Sequence, residues 1–291
     1  MPHPLLLLLL LASLTHSLGQ TSGKPDSEQL KTDTITCFTL PNIPSTLRTP
    51  NARAEYLIAH YWDNVNFADA HYAHHKPLME QAWVNYIDLL PYLTPTKATE
   101  ALKNLFRQAS ASQECFLLMA SLAEKYLYET NSPMRNEEYY LPVLEALITS
   151  PHLTDAEKIR PHARKELALK NRIGTQATDF TYTLPTGETG TLHTLEAPYI
   201  LLYFNNPDCH TCHEVSRKLQ QSTLIRQLST NGLLKILSFY PDDNHPIRTQ
   251  QLYDLKRFPT LYLLNSTKLI LLKDAAPEQI EKRLERIKNE E

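Results

Sequence analysis

The chain has 291 residues, of which 42% are hydrophobic and 21% charged, and its formal net charge is −3. That composition is globular and excludes a disordered chain, and the length suits two domains better than one. A near-neutral balance with no basic excess argues against nucleic-acid binding, which needs clustered lysine and arginine against phosphates.

Leu5 to Leu11 form an unbroken apolar run, followed by Ala12, Ser13 and Leu14. The run is too short for a bilayer span, which takes roughly 20 apolar residues. Its length suits a secretory signal, with Ser17-Leu18-Gly19 offering small residues for cleavage before Gln20, although Met1-Pro2-His3-Pro4 carries no positive charge. The expectation is a signal peptide over 1–19, export to the periplasm or cell envelope, and no membrane span in the mature chain. Export would permit disulfide chemistry for the four cysteines, Cys37, Cys115, Cys209 and Cys212. The segment 20–49, rich in Thr, Ser and Pro, reads as an extended or mobile entry.

No glycine stands between Lys24 and Ile173, whereas Gly174, Gly187, Gly190 and Gly232 follow. Glycine-free sequence with helical periodicity means helices joined by loops that need no positive φ. Ala98, Leu102, Leu105, Phe106 and Ala109 share one face, after Thr94 as N-cap and Pro95 at the first helical position. Cys115, Leu118, Met119, Leu122 and Tyr126 repeat the pattern. Thr154-Asp155-Ala156-Glu157 is a capping box opening a helix that Pro161 is expected to kink. The prediction is a helical domain over 50–172 with five or six helices, and with Tyr56, Tyr61, Trp62, Trp83 and Tyr86 in its core.

The period then changes. Phe180 to Leu184 predicts a strand and Pro185-Thr186-Gly187 a turn. Tyr199 to Phe204 is nearly continuous apolar sequence, the mark of a strand buried on both faces, and Leu233 to Tyr240 reads the same way. Ser216 to Leu228 predicts a helix, Leu261 to Leu264 with Leu269 to Leu272 a hairpin, and Pro277 to about Lys288 a charged amphipathic helix. This order is an α/β plan with a mixed sheet flanked by helices, over 173–291.

The chemistry sits where the first buried strand runs through Asn205-Asn206-Pro207-Asp208 into Cys209-His210-Thr211-Cys212 and a helix. A thiol in the first helical turn faces unpaired backbone N–H groups and the positive end of the helix dipole, which favours its thiolate. The thiolate is the attacking species in disulfide exchange. Cys209 is therefore the expected nucleophile and Cys212 the resolving thiol. A protonated His210 would help hold the thiolate and Asp208 would oppose it. No organic cofactor or metal is required, because the two sulfurs carry the electrons.

With Phe258-Pro259-Thr260 leading a later strand, this order resembles the thioredoxin fold. Gly174 to Phe180, a hairpin, and then Tyr199 to Phe204 are similar to the TlpA/ResA-like branch of exported thiol–disulfide oxidoreductases, over about 174–291. The part over about 37–172 resembles a helical bacterial domain of unknown function that precedes thioredoxin-like domains. The resemblance implies a cis peptide before Pro259, whose loop, with Phe258, holds an extended substrate segment beside Cys209. The expected reaction is disulfide exchange with a protein disulfide or dithiol, or with a small thiol, served by an upstream redox partner. Whether it runs as reductase, oxidase or isomerase depends on the relative stability of dithiol and disulfide, and the resemblance favours reduction. Two departures stand out: Asp208 replaces the usual aromatic residue, and the stretch between Tyr240 and Pro259 is shorter than that branch's insertion. Strand 199–204 also contains no acidic residue to accept a proton from Cys212.

Other readings of the same residues remain open at this level. A permanent Cys209–Cys212 disulfide would make the domain a redox-inert binding module or adaptor. Cys209-His210-Thr211-Cys212-His213 also fits covalent haem attachment, with His213 and one of Met79, Met119, Met134 or His245 as iron ligands. Zinc fits poorly, since a structural site wants four ligands and the motif supplies two. Cys115 on an apolar face reads as a buried thiol or as the partner of Cys37. His71, His74 and His75, with His60 and Asp69, read as a polar helix end more readily than as a metal site.

Overall fold

The computed structural model describes residues 38–184 and 186–290, so the expected signal peptide and Cys37 lie outside the described residues. All described residues fall in one compact unit, 37–291. At its start the chain packs on the helical part: the Phe38 ring centroid lies 5.1 Å from that of Tyr61 and 5.4 Å from that of Trp62, and Asn64 Nδ2 donates to the Thr39 carbonyl at 3.0 Å.

The helical part comprises α1 (Pro50–His60), α2 (His71–His74), α3 (Lys76–Ile87), α4 (Pro95–Ala109), α5 (Gln113–Ala123), α6 (Glu137–Thr149) and α7 (Asp155–Leu169). The polar residue before each long helix except α3 explains where it starts: the side chains of Thr49, Thr94, Ser112, Asn136 and Thr154 each accept an amide hydrogen of the first turn. The Thr154–Glu157 capping box is complete, and α7 runs on through Pro161 as one helix. A π-helical turn, Glu124–Tyr128, extends α5; the apolar pattern did not foretell it. The core is filled by Trp83, Tyr61, Tyr86, Phe106, Phe116, Met79 and Met119. Cys115 is buried among them with a free thiol, donating to the Asp69 carbonyl at 3.6 Å. The imidazoles of His71, His74 and His75 spread around the single turn of α2, with ring centroids 6.3 to 6.4 Å apart.

The α/β part opens with the antiparallel pair β1 (Thr181–Thr183) and β2 (Thr189–Thr191). It continues with β3 (Tyr199–Phe204), α8 (His210–Gln221), α9 (Thr223–Thr230), β4 (Leu234–Phe239), α10 (Pro246–Thr249), β5 (Thr260–Asn265), β6 (Ile270–Lys273) and α11 (Pro277–Glu290). The sheet order is β4-β3-β5-β6, with β3 parallel to β4 and antiparallel to β5. Side chains alternate across a strand, so β3 feeds two cores. Ile200, Leu202 and Phe204 face one; Leu201 and Tyr203 face the other, beneath α8 and α11.

Two expectations change here. The strand over 233–240 is not buried on both faces: β4 is an edge of the sheet, and Lys235 and Ile236 are exposed. The helix over 216–228 is two helices with an earlier start, at His210. Ser222, at φ −63° and ψ 120°, ends α8, and its hydroxyl caps α9 by accepting the Ile225 amide hydrogen.

Candidate functional site at the start of α8

β3 ends at Phe204, and the loop after it is built by asparagines. Asn205 Nδ2 donates to Ser238 Oγ on β4 at 2.9 Å, while Asn206 Oδ1 accepts the Asp208 amide at 2.9 Å. That turn sets Cys209 in extended conformation (φ −96°, ψ 115°) as the N-cap of α8. Its sulfur accepts the Cys212 amide hydrogen at 3.2 Å, so it holds one of the helix's unpaired donors and lies at the positive end of the helix dipole. The thiol contacts the Phe258 carbonyl oxygen at 3.7 Å, and the Phe258–Pro259 peptide is cis. The loop leading to β5 thus lies against the first cysteine.

The two thiols differ in access. Cys209 is half-buried, whereas Cys212 is 3% exposed beneath the helix. Burial, and then the hydrogen bond with Cys209, push the Cys212 thiol up to about 11. Tyr203 closes the site from below. Its hydroxyl donates to the Cys212 carbonyl at 2.6 Å, and burial with the neighbouring sulfurs pushes its pKa up to about 12. Tyr203 therefore remains a donor at neutral pH. Sequence reasoning missed it, although the alternation along β3 from the buried Leu201 could have placed it on the α8 side.

Of the expected site residues, Cys209, Cys212, Phe258 and Pro259 come together. His210 and Asp208 do not join them: the His210 side chain is 88% exposed, with Nδ1 3.9 Å from Glu214 Oε1, and Asp208 is exposed on the turn. Both side chains face solvent on either side of Cys209 in the sequence. Three of the four candidate second iron ligands of the haem reading are engaged elsewhere. Met79 and Met119 are fully buried in the helical core, and His245 caps α10 through Nδ1.

A cleft of about 920 Å3 opens at Thr211 and at the Phe258–Pro259 loop that Cys209 contacts, although neither cysteine is among its lining residues. Thr211 and Val215 of α8, Phe258 and Pro259, and Asp274 to Gln279 line one side; Thr130 to Pro133 and Arg135 to Glu138 of the helical part line the other. The two sides are tied together. Arg257 Nη1 donates to the Thr130 carbonyl at 2.6 Å. Arg135, 13% exposed, pairs with Glu137 at 3.3 Å, Asp254 at 3.6 Å and also Asp274. Further along, Lys273 bonds Glu137 at 2.7 Å, and Asn171 Nδ2 donates to the Leu252 carbonyl at 2.7 Å.

A mixed sheet with β3 feeding a Cys-x-x-Cys helix start, and a cis-proline loop against the first sulfur, defines a thioredoxin-like fold behind a helical domain. The family model described as a domain of unknown function (DUF5106) matches residues 17–171. The crystal structure of a thioredoxin-like protein from Bacteroides caccae ATCC 43185 is 48% identical and overlays 87% of this chain and 99% of its own, with a TM-score of 0.84. The chain belongs to this family of thioredoxin-like proteins with an N-terminal DUF5106 domain. The C-terminal domain of an uncharacterized protein from Bacteroides fragilis NCTC 9343 is 39% identical over 40% of this chain and 98% of its own, with a TM-score of 0.38. The thioredoxin domain of a thiol–disulfide oxidoreductase from Bacteroides vulgatus is 15% identical over 40% of this chain and 97% of its own, with a TM-score of 0.34. No curated protein matches the chain.

Proposed function

We propose that this protein is an exported thiol–disulfide oxidoreductase of the cell envelope that reduces protein disulfides through Cys209 and Cys212. The observation that carries the reading is the asymmetry of the pair: a half-exposed sulfur at a helix N-cap, beside the Phe258 carbonyl, with a buried second thiol one turn on. Cys209, as thiolate, attacks one sulfur of the substrate disulfide. This forms a mixed disulfide and expels the other sulfur, which takes a proton from water. Cys212 gives its proton to the hydroxide left by the first step, attacks Cys209 Sγ and releases the second substrate thiolate, which is protonated by water, leaving a Cys209–Cys212 disulfide. Two electrons have then passed to the substrate, and an upstream dithiol partner restores the pair. Resemblance to the TlpA/ResA-like branch supports the reductase direction, and the apolar run Leu5–Leu11 supports export.

The direct test is reduction of insulin by the wild type and by Cys209→Ser. Turnover in the wild type and its loss in the variant are expected; equal rates would defeat the proposal. Cys212→Ser should stall at the mixed disulfide, so its captured partners, identified by mass spectrometry, would reveal the substrates.

A further inference from the structure

The cleft at the Phe258–Pro259 loop, where the Phe258 carbonyl meets Cys209, is not made by the thioredoxin-like domain alone. Its far wall is the segment Thr130–Glu138, between the π-helical turn and α6. That wall is held in place from both ends and from below. The Ser132 hydroxyl donates to the Tyr126 carbonyl at 2.5 Å, the Asn136 amide to the Leu127 carbonyl at 2.9 Å, and Arg135 Nε to the Tyr128 carbonyl at 3.2 Å. Arg257, two residues before Pro259, reaches across to Thr130. Moving this wall away from the proline loop would break the Arg257–Thr130 hydrogen bond and the pairing of Arg135 with Asp254 and Asp274.

The charges of the lining are already spent on each other. Lys218 pairs with Glu278 at 2.7 Å, Lys273 with Glu137 at 2.7 Å, and Arg257 with Asp274 at 3.5 Å, while Arg135 is shared between Glu137 and Asp274. An anionic disulfide such as that of glutathione meets no unpaired cation among these lining residues. Val215, Phe258, Pro259, Leu272 and Ala275 offer apolar surface instead. A chain in extended form can lie between the two walls and meet the Phe258–Pro259 loop.

We propose that the Thr130–Glu138 segment of the helical domain is the substrate-selecting wall of the site, and that the cleft admits an uncharged, extended polypeptide segment carrying the disulfide cysteine. This rests on the oxidoreductase reading above and gives the helical domain a role in it. The exposed residues Asn131 and Pro133 narrow the cleft if enlarged and take no part in the chemistry. In Asn131→Trp and Pro133→Trp, kcat/KM should fall about tenfold or more for an uncharged disulfide-linked peptide, through lost positioning. For hydroxyethyl disulfide, which is small and neutral, it should stay within about twofold. The wild type should also prefer the neutral peptide to glutathione disulfide. Unchanged peptide reduction in both variants would overturn the proposal, as would equal loss on both substrates in both variants. If the wild type failed on hydroxyethyl disulfide, or Cys209→Ser matched it, the oxidoreductase reading itself would fall and this proposal with it.

Discussion

At the residue scale the two sulfurs are chemically unlike because their surroundings are. Cys209 takes an amide donor and the helix end, while Cys212 sits under the helix and is pushed up to about 11 from its ordinary 9. Iodoacetamide at pH 7, followed by peptide mass mapping, should label Cys209 and leave Cys212 unlabelled; equal labelling would contradict this asymmetry. The stability consequence has a definite sign. Burial disfavours the charged thiolate, so the folded pKa is raised. The dithiol form should keep its full stability below about pH 9 and lose part of it as pH climbs towards 11, with Cys212→Ala showing a smaller loss across that window. Tyr203→Phe removes the donor to the Cys212 carbonyl and should cost about 1 kcal/mol in urea denaturation, the usual worth of one buried hydrogen bond.

At the element scale, caps decide where helices begin, and they were the most readable part of the sequence. Thr94 before Pro95 and the Thr154–Glu157 box stand where the spacing placed them. The break at Ser222 was missed, although on one continuous helix Leu219 would stand opposite Leu228, so the apolar pattern loses phase there. In the structure the Ser222 hydroxyl both caps α9 and donates to Glu281 Oε1 of α11 at 2.6 Å. Ser222→Ala should therefore cost about 1–2 kcal/mol, at the upper end for a cap, whereas Thr154→Ala should cost about 1 kcal/mol. Urea midpoints of the two variants check the order. β4 makes a similar point. Its apolar sequence resembles that of β3, yet as an edge strand it is paired on one side alone, so Lys235 and Ile236 face solvent.

At the scale of the whole molecule, the helical and α/β parts are joined by charge as well as by chain. Arg135 from the helical part meets Asp254, which is 4% exposed, and Asp274, whose φ of 52° turns the chain after β6. Removing Arg135 takes away the one cation that Asp254, Glu137 and Asp274 share, while Lys256, Lys273 and Arg257 still pair with these carboxylates in turn. Arg135→Ala should lower unfolding stability by roughly 2 kcal/mol, the scale of a hydrogen bond to a charged group, and shift the single transition expected of a jointly folding chain into two. Differential scanning calorimetry of the variant tests both outcomes. An unchanged, single transition would show that the two parts are held together by something other than this cluster.

The sequence by itself determined the local matters: the signal-like apolar run, the glycine-free helical stretch, the caps, the two-sided β3, and the cysteine pair at a helix start with a proline-led strand after it. These follow from periodicity and from the few residue types that can satisfy a helix end, so neighbours in sequence suffice to read them. The tertiary structure alone decided which sulfur is covered, that Tyr203 supports Cys212, that His210 and Asp208 stay in solvent, and that Thr130–Glu138 stands opposite Pro259. Each of these depends on groups far apart in the chain, and burial, pairing and access are properties of what packs against a side chain rather than of what precedes it.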